Sequence, residues 1–489
     1  MPTAQRTIAP PLLHALLIFQ TLLVAALLTP LLIGSLGSVS GALGLENVSS
    51  LALGVTVLGL GAVALITRTL WDARMLLSIS LVLFNAGALI AHVFTPNDPL
   101  VVLYFSDGNL AAAGYLVSVC LAAWVLATVL TALLVRPRAT TAADIQVSKL
   151  RLVGLLFLTL GTVPAVLELI SALRVVADGG YLSLYSREVN VGASGWRAVA
   201  GAFFVPGLLF LLGSGTLMRR GVMVVVMVML AFVATKLALG SRSPAIMPLI
   251  ALWFVVHYRI WPIPARLAVG VGAVLFLVVL PVIAVLRDEG GVVRLTPAVL
   301  AQTFANFANP ALATLNETGA SIMPTAYALN YIPGARDFGN GASYVNSLWT
   351  ILPSTGGLNP AVAGDNVYAN WLTRTVDPSL ASIGGGFGFS PIAETYANFG
   401  VVGGVTGFFA IALAMQVLLT WFSNYRNAAH IVFSGVILSI LLLWARGETV
   451  SFVRPLVWFV LVPAVYLVVQ AYRRPQRNAE LREETPAAG

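Results

Sequence analysis

The stretch LLHALLIFQTLLVAALLTPLLIGS, residues 12–35, contains no Asp, Glu, Lys or Arg. A helix rises about 1.5 Å per residue, so this run spans the roughly 30 Å hydrocarbon core of a bilayer. It is longer than the core of a signal peptide and more apolar runs follow it, so it reads as a retained first helix. Windows of the same kind, bounded by charges and turn formers, recur near 50–67, 75–93, 110–135, 152–173, 198–216, 221–239, 244–258, 266–286, 397–421, 429–445 and 452–470. The expectation is an all-α polytopic membrane protein of about 12 transmembrane helices, with both termini on one side.

Composition supports this. Of 489 residues, 58% are hydrophobic and 9% charged, against roughly 45–50% and 25% in soluble domains. The single Cys120 excludes an intrachain disulfide and cysteine-based metal sites. His14, His92, His257 and His430 lie at or within separate span ends without ligand spacing, so no metal is expected. There is no GxxxxGK[ST] loop, no dinucleotide fingerprint and no HExxH helix, and no cofactor is expected. The net charge of +8 is carried in loops and forms no basic stripe, which argues against nucleic acid as a partner.

The charges also orient the chain. Sixteen of the 27 bases, among them Arg68, Arg74, Arg136, Arg219, Arg259 and Arg426, fall in short connections on the side of both termini. By the positive-inside rule that side is cytoplasmic. The expected organisation is helices 1–9 over 1–286, a large extracytoplasmic subdomain over 287–396 resting at the membrane surface, helices 10–12 over 397–470, and a disordered cytoplasmic tail over 471–489. A smaller outer loop, 174–197, contains YLSLYSREVN. Chemistry or recognition is therefore expected on the extracytoplasmic side. No internal repeat is visible, which is unlike a simple transporter of two related halves.

The strongest local signal is GGGFGFSPIAETYANFGVVGG, residues 384–404. A glycine-rich turn enters a helix, with Ser390 in position to cap it and Pro391 in its first turn. Glu394 then sits in the first helical turn, as a general base, as an acceptor orienting a sugar hydroxyl, or as a capping carboxylate. Four arginines share the outer level: Arg187 in the 174–197 loop, Arg242 in GSRSP, and Arg446 and Arg454 around GETVSFV. Guanidinium forks suit pyrophosphate oxygens, and snorkelling or pairing with neighbours such as Glu448 is the alternative. In the large loop, Glu317, Tyr331, Arg336, Asp337 and Tyr344, with Tyr396 beyond it, have the composition of a saccharide groove or of a packed subdomain. Tyr104, Asp107 and Tyr115 are further groove candidates, and Glu168 is a charge inside a span.

With LNETGAS, NYIPG, GASYVNSLWTILP and GGGFGFSPIAETYANFGVVG, which together cover 316–404, the chain resembles the bacterial O-antigen and exopolysaccharide repeat-unit polymerases of the Wzy type. The resemblance implies a GT-C-like fold of the kind shared by lipid-dependent polymerases and ligases. It implies an inner-membrane glycosyltransferase that joins undecaprenyl-pyrophosphate-linked oligosaccharides at the outer face, without nucleotide sugar or metal. A repeat-unit flippase and a chain-length regulator are the protein partners it implies. On this reading Arg242, with Arg187, Arg446 or Arg454, holds the pyrophosphate, and Glu394 or Glu317 activates the acceptor for inverting displacement. The alternatives are ligase-like transfer to another acceptor, and a flippase or polysaccharide exporter that makes no new glycosidic bond.

Overall fold

A computed structural model describes residues 9–96, 105–135, 147–179, 195–282, 309–352 and 364–470, with the Arg242 side chain left out. The protein is an all-α polytopic membrane protein, with no β-strand among the described residues. In chain order the first helices are α1 (Pro10–Ile33), α2 (Leu36–Thr67), α3 (Ala73–Phe94), α4 (Asp107–Leu134), α5 (Val147–Gly179), α6 (Gly195–Gly201), α7 (Phe204–Gly213), α8 (Arg219–Ala238) and α9 (Arg242–Arg259). Then come α10 (Ala265–Val282), α11 (Pro310–Thr318), α12 (Met323–Tyr331), α13 (Ala342–Trp349), α14 (Tyr368–Val376), α15 (Pro378–Ser382), α16 (Pro391–Trp421), α17 (Ala428–Trp444) and α18 (Val453–Gln470).

Each of the twelve apolar windows coincides with helix among the described residues, 266–286 as far as residue 282 and 198–216 with a break at 202–203. Ten helical stretches of the described chain are long and apolar enough to cross a membrane, the run Trp196–Gly213 through α6 and α7 counting as one. The two segments outside that set have physical reasons to be: α17 is 17 residues long, and α9 carries Pro248, His257 and Arg259. Helix α2 starts at Leu36, well before the expected residue 50, because Ser35 and Ser38 form a reciprocal capping box. Helix α16 starts at Pro391, six residues before the expected window, because Ser390 accepts a hydrogen bond from Ala393 N.

The core consists of α3, α4 and α17, whose side chains are mostly buried, while α1, α8 and α10 present mostly exposed apolar faces. Exposed apolar faces are what lipid contact requires. Polar pins hold the core: Trp124 Nε1 donates to Ser78 Oγ at 2.9 Å, and Asn85 Nδ2 to the Ala445 carbonyl at 2.8 Å. Such interhelical bonds matter where lipid supplies no hydrophobic drive for helix association.

At the bundle end opposite the 309–396 segment, three connections lock together. Arg74 grips Asp72 with two bonds of 2.9 and 2.8 Å, Ala73 N donates to Tyr425 Oη, and Trp71 stacks on His257. Glu168, the suspicious charge inside a span, pairs with Lys236 of α8 at 3.2 Å.

The described part of the 309–396 segment packs against the bundle. Helix α11 and the turn Gly319–Ile322 pack along α3, and α12 packs on α4 and α16. Gly319, from LNETGAS, lies so close to α3 that a Cβ there would run into the backbone of Gly87 and Ala88. The expected tail over 471–489, and the whole of the 287–308 stretch, lie outside the described residues.

Candidate functional site

Four segments meet at one end of the bundle around two buried carboxyls. Glu394 stands in the first turns of α16, as the Ser390–Pro391 pattern anticipates, and is 1% exposed. Its Oε1 accepts from Ser343 Oγ of α13 at 2.8 Å. Its Oε2 accepts from Thr449 N at 2.8 Å and from Thr449 Oγ1 at 2.7 Å. Asn398, one turn further along α16, donates Nδ2 to both Ser343 Oγ and the Glu394 carbonyl at 2.8 Å, and accepts from Gly341 N at 2.9 Å. The carboxylate therefore ties α16, α13 and the turn between α17 and α18 into one unit.

The second carboxyl, Glu448, is 4% exposed and accepts from Tyr368 N at 2.9 Å and Ala369 N at 3.0 Å. It thus satisfies the free N–H groups that begin α14, where the helix dipole favours negative charge. Burial pushes the Glu448 carboxyl up to about 7, against the pull of those two bonds and of the nearby Arg336. Burial likewise pushes the Tyr368 phenol up to about 12. Arg336 lies over the rings of Tyr368 and Trp371, at 4.6 and 5.0 Å, and donates to the Asp365 carbonyl at 2.8 Å.

The remaining candidates are distributed as follows. Tyr344 stacks on Phe399 with centroids 6.1 Å apart and a buried hydroxyl, and burial and the neighbouring Glu394 raise its phenol. Tyr396 is buried, its hydroxyl donating to the Ile332 carbonyl at 2.8 Å. Tyr331 ends α12, half-buried beside Tyr327, and Asp337 is exposed. Glu317 lies near the end of α11, half-buried on the side of the segment that packs along α3. Arg454 donates Nε to the Thr350 carbonyl and lies 5.7 Å from the Trp458 ring, and Arg446 lies 5.5 Å from the Phe84 ring. Arg187, Tyr104 and the Arg242 side chain lie outside the described residues. Tyr115 is buried, its hydroxyl donating to the Leu27 carbonyl, and Asp107 begins α4. Among the described residues no group of His, Cys, Asp and Glu could hold a metal ion.

Sequence reasoning missed Ser343, Asn398 and Thr449, and it read Glu448 only as a partner for Arg446. Asn398 is the one with a local signal, being four residues after Glu394 on the same helical face.

The motifs that surround these carboxyls are those that suggested a polymerase, and comparison with known families decides the matter. The family model described as O-antigen polysaccharide polymerase Wzy matches residues 23–476. The chain belongs to that family. No curated protein and no solved structure matches it. As a Wzy family member it has a general role in repeat-unit polymerisation, and the Glu394–Glu448 centre lies within the matched span.

Proposed function

We propose that this Wzy family member joins undecaprenyl-pyrophosphate-linked oligosaccharide repeat units at the extracytoplasmic face of the plasma membrane, using the Glu394 centre. The observation that carries this reading is the Thr449 hydroxyl, bonded to Glu394 Oε2 inside the buried network, where Thr449 at 9% is slightly more exposed than Ser343 at 7%. Ser343 already donates to Glu394 and accepts from Asn398, whereas a hydroxyl that donates once keeps lone pairs for a second donor. An acceptor sugar hydroxyl bonded to Thr449 Oγ1 passes its proton through Thr449 to Glu394. Its oxygen forms the new bond to the anomeric carbon of the growing glycan, with inversion. The old bond to the pyrophosphate oxygen breaks, and undecaprenyl pyrophosphate leaves with the electron pair.

Guanidinium groups offset the charge on that leaving group. Arg446 and Arg454 flank Thr449 in the chain, Arg336 lies over Tyr368 beside Glu448, and Arg242 and Arg187 are expected at the same level. The half-buried Tyr331, the exposed Asp337 and the half-buried Tyr344 ring suit the sugar. The concentration of bases at the opposite end of the bundle supports an extracytoplasmic position for this one.

The test is the purified protein in vesicles with one defined undecaprenyl-pyrophosphate oligosaccharide, products read by mass. A ladder rising by whole repeat units is expected. A single transfer onto a different acceptor, or movement of the lipid across the vesicle without new glycosidic bonds, would replace this reading with a ligase or an exporter.

A further inference from the structure

Helix α13 is amphipathic the wrong way round for water. Its small polar residues Ser343 and Ser347, with Thr350 just after, are buried against the protein. Its large apolar residues point away: Val345 is 59% exposed, Leu348 57% and Trp349 50%, with Leu352 just after the helix at 57%. Val345, Leu348 and Trp349 follow the i, i+3, i+4 spacing of a single helical face, and Leu352 lies in the turn just after the helix. The buried polar groups are satisfied locally, Ser347 Oγ bonding the Ser343 carbonyl at 2.7 Å and Thr350 Oγ1 the Ser347 carbonyl at 2.6 Å. The inverted burial is thus a stable arrangement whose outward face asks for an apolar medium.

The neighbours of α13 say what that medium is. Its C-terminal end is fastened to the first turns of α18: Arg454 Nε donates to the Thr350 carbonyl, and Trp458 Nε1 to the Ile351 carbonyl at 3.0 Å. On its other flank Tyr344 stacks on Phe399 of α16. Both flanking helices carry exposed apolar side chains, Phe399 and Val402 on α16 and Leu461 and Val462 on α18. The outward face of α13 is therefore continuous with the lipid-facing surfaces of two membrane-crossing helices. Trp349 and the Arg454 guanidinium suit the headgroup boundary, where an amphipathic ring or cation meets both water and hydrocarbon.

We infer that α13 is an interfacial helix that inserts its Val345–Leu348–Trp349 face into the hydrocarbon of the adjacent bilayer leaflet. The occupant of that face is lipid, and its inward face carries Ser343, bonded to Glu394. Insertion thereby sets the depth of the carboxyl centre relative to the membrane surface. The inference goes beyond the polymerase reading and does not depend on it.

Spin labels at Val345→Cys and Leu348→Cys, in a Cys120→Ala background reconstituted in vesicles, test this by collision with oxygen and with a water-soluble nickel chelate. Val465→Cys on the lipid face of α18 and Asp337→Cys at an exposed loop position are the references. The expected result is oxygen collision comparable with Val465 and nickel collision several-fold below Asp337. Nickel collision equal to Asp337 would make the face aqueous and overturn the inference. Low collision with both reagents would mean that protein covers the face, and would overturn it equally.

Discussion

The Glu394 carboxylate depends on donors from two other segments, so the donors can be removed one at a time. Ser343→Ala deletes one bond and leaves Asn398 Nδ2 short of an acceptor, and the expected cost is about 1–3 kcal/mol of stability, read as a lower melting temperature in detergent. Thr449→Val keeps the backbone bond and deletes only the hydroxyl. It is expected to slow repeat-unit joining far more than it lowers stability, with Thr449→Ser restoring most of the rate. Glu448 supplies a pH signature. Its folded-state value near 7 lies above the ordinary 4.5, so its contribution to stability is full below about 4.5 and is lost as pH rises through about 7. Wild type is therefore expected to lose melting temperature between about pH 5 and about pH 8, and Glu448→Gln to show a flatter profile. Glu394 was legible because its helix start is written locally in Ser390 and Pro391. Ser343 and Thr449 were not, because they reach it from 51 and 55 residues away, which no local pattern records.

At the scale of elements, two glycines do work that side chains would prevent. Gly400 has φ 72° and breaks α16 just after Phe399, which lets the Glu394 turn aim differently from the apolar length that follows. Gly400→Ala is expected to cost about 1–3 kcal/mol, because φ 72° with ψ −164° is a backbone conformation essentially confined to glycine. At Gly319 the obstacle is the α3 backbone, which cannot yield as a side-chain tip does. Gly319→Val is expected to lose folded protein altogether, measured as the monodisperse fraction after extraction. The helices themselves were legible as apolar windows. Their places in the bundle were not, since α1 and α4 are similarly apolar although α1 is mostly exposed and α4 mostly buried. What separates them is the run AAAGYLVSVC in α4, whose small residues permit close packing on several neighbours. The start of α2 was missed because Gly37, Ser38, Ser40 and Gly41 dilute its hydropathy while the Ser35 cap still nucleates the helix.

For the whole molecule, the apolar bundle keeps its polar chemistry at two ends. One holds Asp72, Arg74, Tyr258 and Tyr425, and the other holds Glu394 and Glu448 with their hydroxyl and guanidinium neighbours. The charge pattern in the sequence predicts which end is cytoplasmic. A membrane-impermeant thiol reagent applied to intact cells is expected to label Asp337→Cys and to leave Arg426→Cys unlabelled until the membrane is opened. The central claim, that Glu394 takes the acceptor proton during repeat-unit joining, is tested most directly by single-turnover transfer between two lipid-linked repeat units. The measurement compares wild type with Glu394→Gln of matched melting temperature. The account predicts a loss of roughly 100-fold or more in the rate of glycosidic bond formation, in keeping with removal of a general base, while the donor lipid still binds. Bond formation by Glu394→Gln at the wild-type rate would contradict it.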